Sequence, residues 1–404
     1  MKDLRREYKL EKKEHKNTFT FTEVIFIALT FGLVVFVLTA FIVYNVSKKT
    51  SFDSNLTDIV NSYEKIVDSY YEDVDKSKLA ESAIDGMFDY LNEDYSKLLD
   101  NNSANTLTDS LTDSYKGIGI VVYSNGKEFI VHDVVKNSVS FNAGIQTNDI
   151  IKSINGKELT SDMTTDEVSK LVKEKDTVKL VLIRDGKERE YTLTVGKVSI
   201  PVVSSDLYED ENNKIGYIYL DSFTSNAVDQ FKSELEILEH KGMDSLIIDL
   251  RDNTGGYLSA AEDIASLFIK KGKTIYTLEG KNMNEKGIDQ TEERRDYPVV
   301  VLINEYTASA SEVLALALKE SYGATLIGTK SYGKGKVQVT STLSNGDMLK
   351  QTAAKWYSPN GNNIDGKGIT PGIYVEQNIS FILKGEEAVD AQLDRAREFL
   401  VNNK

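Results

Sequence analysis

Two serines, Ser309 and Ser311, lie two residues apart in Tyr306–Glu312, "YTASASE". They fall between the apolar run "PVVVLIN" and "VLALALKESYG", where a predicted strand gives way to a predicted helix. Backbone N–H groups and the helix dipole at such a start favour developing negative charge, the charge that attack on a carbonyl creates. The plain alternative is structural: Ser309-x-x-Glu312 is a capping box and explains a serine there without chemistry. A serine hydroxyl is a weak nucleophile and needs a base within hydrogen-bond reach. The chain has three histidines, His15, His132 and His240, and no cysteine. Disulfides, thiolate metal sites and cysteine nucleophiles are thereby excluded, and a multi-histidine metal centre is disfavoured. His240 is expected at an exposed helix end and His132 in a β module, neither suited to a catalytic triad. Lysine can replace histidine when desolvation brings its pKa down from about 10.4. Lys334, in "YGKGKVQV", stands between Gly333 and Gly335 and enters a stretch that alternates like a strand. In an extended chain positions 334, 336 and 338 share a side, so Gln338 is placed to orient the Lys334 amine. "DNTGG" supplies the backbone amides of Gly255 and Gly256, which read equally as a tight turn.

One motif is a decoy. Gly328–Lys334, "GTKSYGK", approaches a phosphate-binding loop, but Gly335 follows the lysine where Ser or Thr would hold magnesium. Strand-like "KVQV" then replaces the helix whose N-terminus would hold phosphate.

The elements that must position these residues follow from composition and periodicity. The 404 residues are 40% hydrophobic and 27% charged, enough for two or three globular domains. A net charge of −15 argues against a nucleic-acid binder. Val24–Val46 is an uncharged apolar run long enough to cross a bilayer core of roughly 30 Å. It ends in "FIVYNVSKK", without a small-x-small cleavage site, so it is expected to stay as a membrane anchor and not to be removed as a signal peptide. Lys2, Arg5, Arg6, Lys9, Lys12, Lys13 and Lys16 precede it, whereas Lys48 and Lys49 follow, which predicts a cytoplasmic N-terminus and an extracytoplasmic remainder. Apolar residues at helical spacing (Leu56, Ile59, Val60, Tyr63, Ile66, Val67, then "KLAESAIDGMFDYL") predict helices from about Asn55 to Leu99. Asn101–Ser114, rich in Asn, Ser, Thr and Asp, reads as a loop or linker. Tyr115–Val198 turns to short strands with "NG" and "DG" hairpin signals, interrupted by one helix candidate, Thr165–Lys173. From Lys214 strands and helices alternate as in a layered αβ core.

Taken together, "AIDGMFDYL", "YKGIGIVV", "SVSFNAGIQTNDIIKSINGKEL", "GYIYLDSF", "IIDLRDNTGG", "TASASE", "GTKSYGKGKVQV" and "YSPNGNNIDGKGITPG" resemble the carboxy-terminal processing, or tail-specific, peptidases over about Ile66–Val375. Two departures stand out: "LNEDYS" replaces an "LDPHS"-like stretch, and Gly372 follows Pro371 where the family commonly has Asp. The resemblance implies Ser309 as nucleophile, in preference to Ser311, Lys334 as general base and Gln338 as its orienting residue. It further implies an oxyanion hole from the amides of Gly255, Gly256 and Ala310. "GIGI", Gly117, Ile118, Gly119 and Ile120, resembles the PDZ loop that holds a terminal carboxylate beside an added strand, with Arg184 as an additional contact.

The fold expected is α+β: a basic tail (1–23), a transmembrane helix (24–46), a helical segment (47–105), a PDZ-like β module (106–199) and an αβ layered peptidase core (200–395). The function expected is a membrane-anchored extracytoplasmic serine endopeptidase cutting protein substrates near free C-termini, with no metal or cofactor implied. The N-terminal helical segment is a candidate homodimer surface. The alternatives are a non-catalytic PDZ scaffold with a degenerate peptidase core, and an acyl-transferring hydrolase of small molecules, which the tail-reading module disfavours.

Overall fold

A computed structural model describes residues 20–49, 54–112, 114–210, 213–292, 294–378 and 389–403, so most of the basic N-terminal tail lies outside the described residues. The apolar run forms a helix, Phe21–Lys49, three residues longer at each end than the uncharged stretch. Within it Val24–Phe41 has the length and composition of a membrane span and none of it is buried by protein. Two further helices follow, Ser54–Ser69 and Lys76–Leu91, on the amphipathic spacing read from the sequence. Leu56, Ile59, Val60 and Ile66 remain exposed on the first.

Asn101–Ser114 is not a loop. Asn101–Thr112 is a helix, and Ser114 opens a strand. Asp100 supplies the missing start signal, its carboxylate accepting from the Ser103 amide at 2.8 Å. Ala104 is buried, and Leu107 and Leu111, four residues apart, lie on one side of the helix against a cavity described below. Burial of a few apolar residues thus overrides a composition that favours turns.

The β module is a six-stranded antiparallel sheet closed by the helix Thr165–Lys173, which has the bounds expected from sequence. Thr164 and Glu167 make a reciprocal cap at its start. Val168, Leu171 and Val172 pack with Ile118, Phe129, Val131, Ile151, Ile154, Val178, Leu180 and Leu182 in a separate core. A short ribbon pairing Ser114–Gly117 with Gly196–Ser199 brackets the module where it leaves and rejoins the chain.

The remaining core is built on a six-stranded sheet in the order Val203–Asp210, Asn213–Leu220, Ser245–Asp249, Val299–Ile303, Thr325–Gly328, Ile373–Tyr374. The first pair is antiparallel and the others parallel. Ser245–Asp249 and Val299–Ile303 are buried throughout, as central parallel strands covered on both faces must be. The helices Ala227–His240, Leu258–Ser266 and Ala310–Ala317 pack into the larger core. Ala391–Asn402 packs through Ala396 and Leu400 on a second cluster with Ile215, Ile247, Val300, Leu302 and Ile327. A second, five-stranded sheet joins Lys97–Leu99, Met348–Tyr357, Thr274–Gly280 and Asn284–Ile288, with Lys336–Thr342 paired to Met348–Tyr357; Lys97–Leu99 is thus a strand and not the end of the expected helices, because it pairs with Met348–Lys350.

Candidate active site

The parallel strands end together, and the turns after them carry the chemistry-bearing residues. The strand Val299–Ile303 leads through Asn304–Ala308 into Ser309, whose backbone (φ 58°, ψ −119°) lies in a region a non-glycine residue adopts only under constraint. Several hydrogen bonds impose it. Thr307 Oγ1 donates to the Leu250 carbonyl at 2.8 Å, and the Ala308 amide donates to the Asn253 carbonyl at 3.0 Å. Ser311 is fully buried and its hydroxyl contacts the Asn253 carbonyl and side-chain oxygen at 2.9 and 2.8 Å, so it has a structural place and no access to substrate.

Glu312 was legible only as a cap residue. Its amide partner at the cap is real, the Ser309 N–H donating to Oε2 at 2.9 Å. The same buried carboxylate also accepts from Ser331 Oγ at 2.6 Å and from the amides of Gly333 at 2.7 Å and Lys334 at 2.9 Å. One side chain therefore ties the Ser309 turn to the lysine loop. Burial pushes its carboxyl above the ordinary range, against the pull of these four donors.

Lys334 precedes its strand, which starts at Lys336. Its carbonyl accepts from the Trp356 indole at 2.8 Å, which with the Glu312 bond fixes the backbone. Burial lowers the Lys334 pKa, the positive Lys350 adds to that, and Glu312 and Glu93 oppose it. Lys336 meets Glu93 at 3.4 Å and Asp365 at 3.8 Å. The two lysines thus differ sharply: one is ion-paired, the other desolvated beside a like charge. Gln338 follows a bulge in the strand pairing and its amide donates to Thr352 Oγ1 at 3.4 Å.

Ser309, Lys334, Gln338, Gly255, Gly256 and Ala310 all line one cavity of about 440 Å³. Leu107, Leu111, Leu258, Val313, Val337 and Trp356 supply its apolar walls. The two glycines are there for close approach. A Cβ on Gly255 would lie 2.9 Å from both the Ala308 carbonyl and Ser309 Cβ, and one on Gly256 would lie 2.2 Å from the Phe223 carbonyl. The Gly255 amide, however, donates to Asn253 Oδ1 at 2.9 Å. That leaves the amides of Gly256 and Ala310, which have no intramolecular acceptor among the described residues.

In the β module Gly117, Ile118 and Ile120 line a groove of about 250 Å³ between the strand Ile120–Ser124 and the helix Thr165–Lys173. Gly119 (φ 84°) forms the turn between them, its carbonyl accepting from the Val135 amide at 3.0 Å. Arg184 is not among the lining residues. Its guanidinium grips the buried Asp149 at 2.6 Å through two nitrogens and the Gly144 carbonyl at 2.8 Å, so the expected substrate contact gives way to a structural one. Nothing in the sequence pairs positions 149 and 184; the sheet brings them together.

Three family models match stretches of this chain. Residues 214–375 match Peptidase family S41, residues 116–195 match the PDZ domain family, and residues 40–103 match the family described as the activating protease CtpB N-terminal domain. Carboxy-terminal processing protease CtpB of Bacillus subtilis is 35% identical over 80% of this chain and 68% of its own length. Carboxy-terminal processing protease CtpA of the same organism is 35% identical over 88% and 77%. A probable CtpA-like serine protease of Staphylococcus haemolyticus is 34% identical over 77% and 62%. The chain belongs to peptidase family S41, among the carboxy-terminal processing serine proteases that carry a PDZ domain.

Proposed function

We propose that this serine peptidase is a membrane-anchored, extracytoplasmic endopeptidase that cuts protein substrates near their free C-termini. The observation that carries the reading is the convergence of Ser309, the desolvated Lys334 and the acceptor-free amides of Gly256 and Ala310 on one cavity. Ser309 Oγ attacks the scissile carbonyl carbon while the neutral Lys334 amine takes its proton. The Gly256 and Ala310 amides receive the negative charge on the carbonyl oxygen, and the Ala310–Ala317 helix start adds its dipole. The tetrahedral intermediate collapses with transfer of that proton to the leaving amine, and water hydrolyses the acyl-enzyme by the same relay. Gln338 orients the amine once its weak contact with Thr352 is exchanged for one with Lys334. The PDZ groove at Gly117–Ile120 holds the substrate tail, its terminal carboxylate at the Gly119 turn. The helix Phe21–Lys49 is the anchor, its basic preceding residues in the cytoplasm, and the exposed apolar side of Ser54–Ser69 pairs two copies.

The test compares one peptide with a free and an amidated C-terminus, with Ser309→Ala and Lys334→Ala as controls. Both variants lose turnover while staying folded, and amidation lowers kcat/KM because the charge-assisted hydrogen bonds to the carboxylate are lost. Near-normal rates in Lys334→Ala refute the Ser–Lys assignment. Equal cleavage of the two peptides refutes tail reading.

A further inference from the structure

The turn Glu93–Ser96 lies within "LNEDYS", the stretch that departs from the family pattern. In the structure it docks beside the lysine loop. Ser96 Oγ donates to Glu93 Oε2 at 2.6 Å and accepts from the Thr352 amide at 2.9 Å, and Thr352 Oγ1 donates to Glu93 Oε2 at 2.8 Å. The chain then continues as Lys97–Leu99, paired with Met348–Lys350. Tyr95 is thereby fixed, half-buried, with the Lys334 Nζ 5.2 Å and the Lys336 Nζ 5.5 Å from its ring centroid. Burial raises its hydroxyl pKa, and neighbouring Tyr332, Asp365 and Asp94 add to that.

Resting on the assignment of Lys334 as base, we infer that Tyr95 is the positioning residue for it: the ring is the surface on which the amine rests, and Glu93 in the same turn decides which of two neighbouring lysines remains free to act. Glu93 and Asp365 hold Lys336 as an ion pair. Lys334 makes no ion pair among the described residues. A long, four-torsion side chain whose amine has no hydrogen-bonded partner among the described residues needs a surface to limit its rotamers, and Tyr95 supplies one. The ring has an electrostatic consequence as well. Its negative face stabilises the ammonium over the amine, so it offsets part of the lowering caused by burial and by Lys350. The charged groups around the amine are Lys350 from the neighbouring strand, Glu312 from the nucleophile helix, Glu93 from the docked turn, and Lys336 and Asp365 beside them; Asp94 acts on the Tyr95 hydroxyl.

Tyr95→Leu keeps the burial and removes the ring; Tyr95→Phe keeps the ring and removes the hydroxyl. The measurement is the pH profile of kcat/KM for the full-length protein in detergent on a peptide with a free C-terminus, with Lys334→Ala alongside. In Tyr95→Leu the acid limb moves down by about 0.5–1 unit, because the protonated form has lost the ring's attraction. Its plateau falls at the same time because the amine is no longer held. Tyr95→Phe keeps the wild-type limb. A lowered plateau with an unmoved limb overturns the inference, since loss of packing alone gives that result. A Phe variant that shifts as Leu does also overturns it, assigning the effect to the hydroxyl. Fluorinated phenylalanines at position 95 keep the shape while progressively cancelling the ring's negative face, so the limb descends with fluorination even if the leucine variant is unstable; a constant limb across that series is equally fatal. Activity retained by Lys334→Ala is a different failure, that of the base assignment itself.

Discussion

Glu312→Gln is the perturbation that most directly probes how the site is held together. It preserves shape and removes charge. Oε1 accepts from Ser331 Oγ and the Gly333 amide, and Oε2 from the amides of Ser309 and Lys334, at 2.6–2.9 Å. A glutamine offers one oxygen and one NH2, so two of the four donors come to face another donor. Hydrogen bonds to a charged acceptor contribute about 1.5–3 kcal/mol each, which sets the loss at about 3–6 kcal/mol. Glu312 is fully buried and burial raises its carboxyl pKa, so removing the charge returns part of that, leaving a net loss of about 2–4 kcal/mol. Expressed in stability, this lowers Tm by about 4–16 °C for a core of this size. Expressed wholly in the alignment of Ser309 with Lys334, it lowers kcat/KM by about 30- to 900-fold. Thermal unfolding and steady-state cleavage of one peptide divide the two contributions. A variant within threefold of wild-type activity and within about 2 °C of its Tm refutes the idea that this carboxylate joins the two turns.

Three further outcomes follow from the geometry. Lys334→Met abolishes turnover and raises Tm near neutral pH: the folded-state pKa of Lys334 lies below its unfolded value, so the charged lysine costs stability at low pH and stability recovers as pH rises from the folded pKa towards the unfolded one. Thermal scans across that range show the recovery in wild type and none in the variant. Gly256→Ala places a Cβ 2.2 Å from the Phe223 carbonyl at φ 144°, so it displaces the Gly255–Gly256 turn and, with that turn as the proposed oxyanion hole, reduces kcat by about 100-fold or more, read by steady-state cleavage. Arg184→Ala leaves Asp149, 1% exposed, without its cation and destabilises the β module by about 3–5 kcal/mol, seen as faster hydrogen exchange confined to residues 116–195, while loss of a direct carboxylate contact would instead raise KM without changing exchange.

The candidate site residues are marked in sequence by local rules, which leave a capping serine and a turn lysine as alternative readings that the family resemblance resolves. A serine between a buried strand and a helix start, a lysine between glycines ahead of an alternating stretch, and a glycine pair after an apolar strand are each defined by neighbours within a few positions. The apolar run at Val24–Val46 and the helix Thr165–Lys173 were legible for the same reason. Long-range partners were not. Glu312 looks like a cap because its role at Ser309 is local, while its bonds to Ser331, Gly333 and Lys334 span about twenty residues and exist only once two strand ends meet. Arg184 reads in sequence as an additional contact for a substrate tail because Asp149 lies thirty-five positions away across the sheet. Asn101–Thr112 looked like a linker because its composition favours turns, and only the cavity wall it completes makes it a helix. Tyr95, more than two hundred positions from Lys334, could be placed only by the strand pairing that docks its turn. The sequence alone thus singled out the candidate groups, because each is marked by neighbours a few positions away, with the family resemblance choosing among the readings that local pattern leaves open. Tertiary structure decided how they are held, because buried carboxylates, ring contacts and donated amides are satisfied by whatever the folded sheet brings within 3–5 Å.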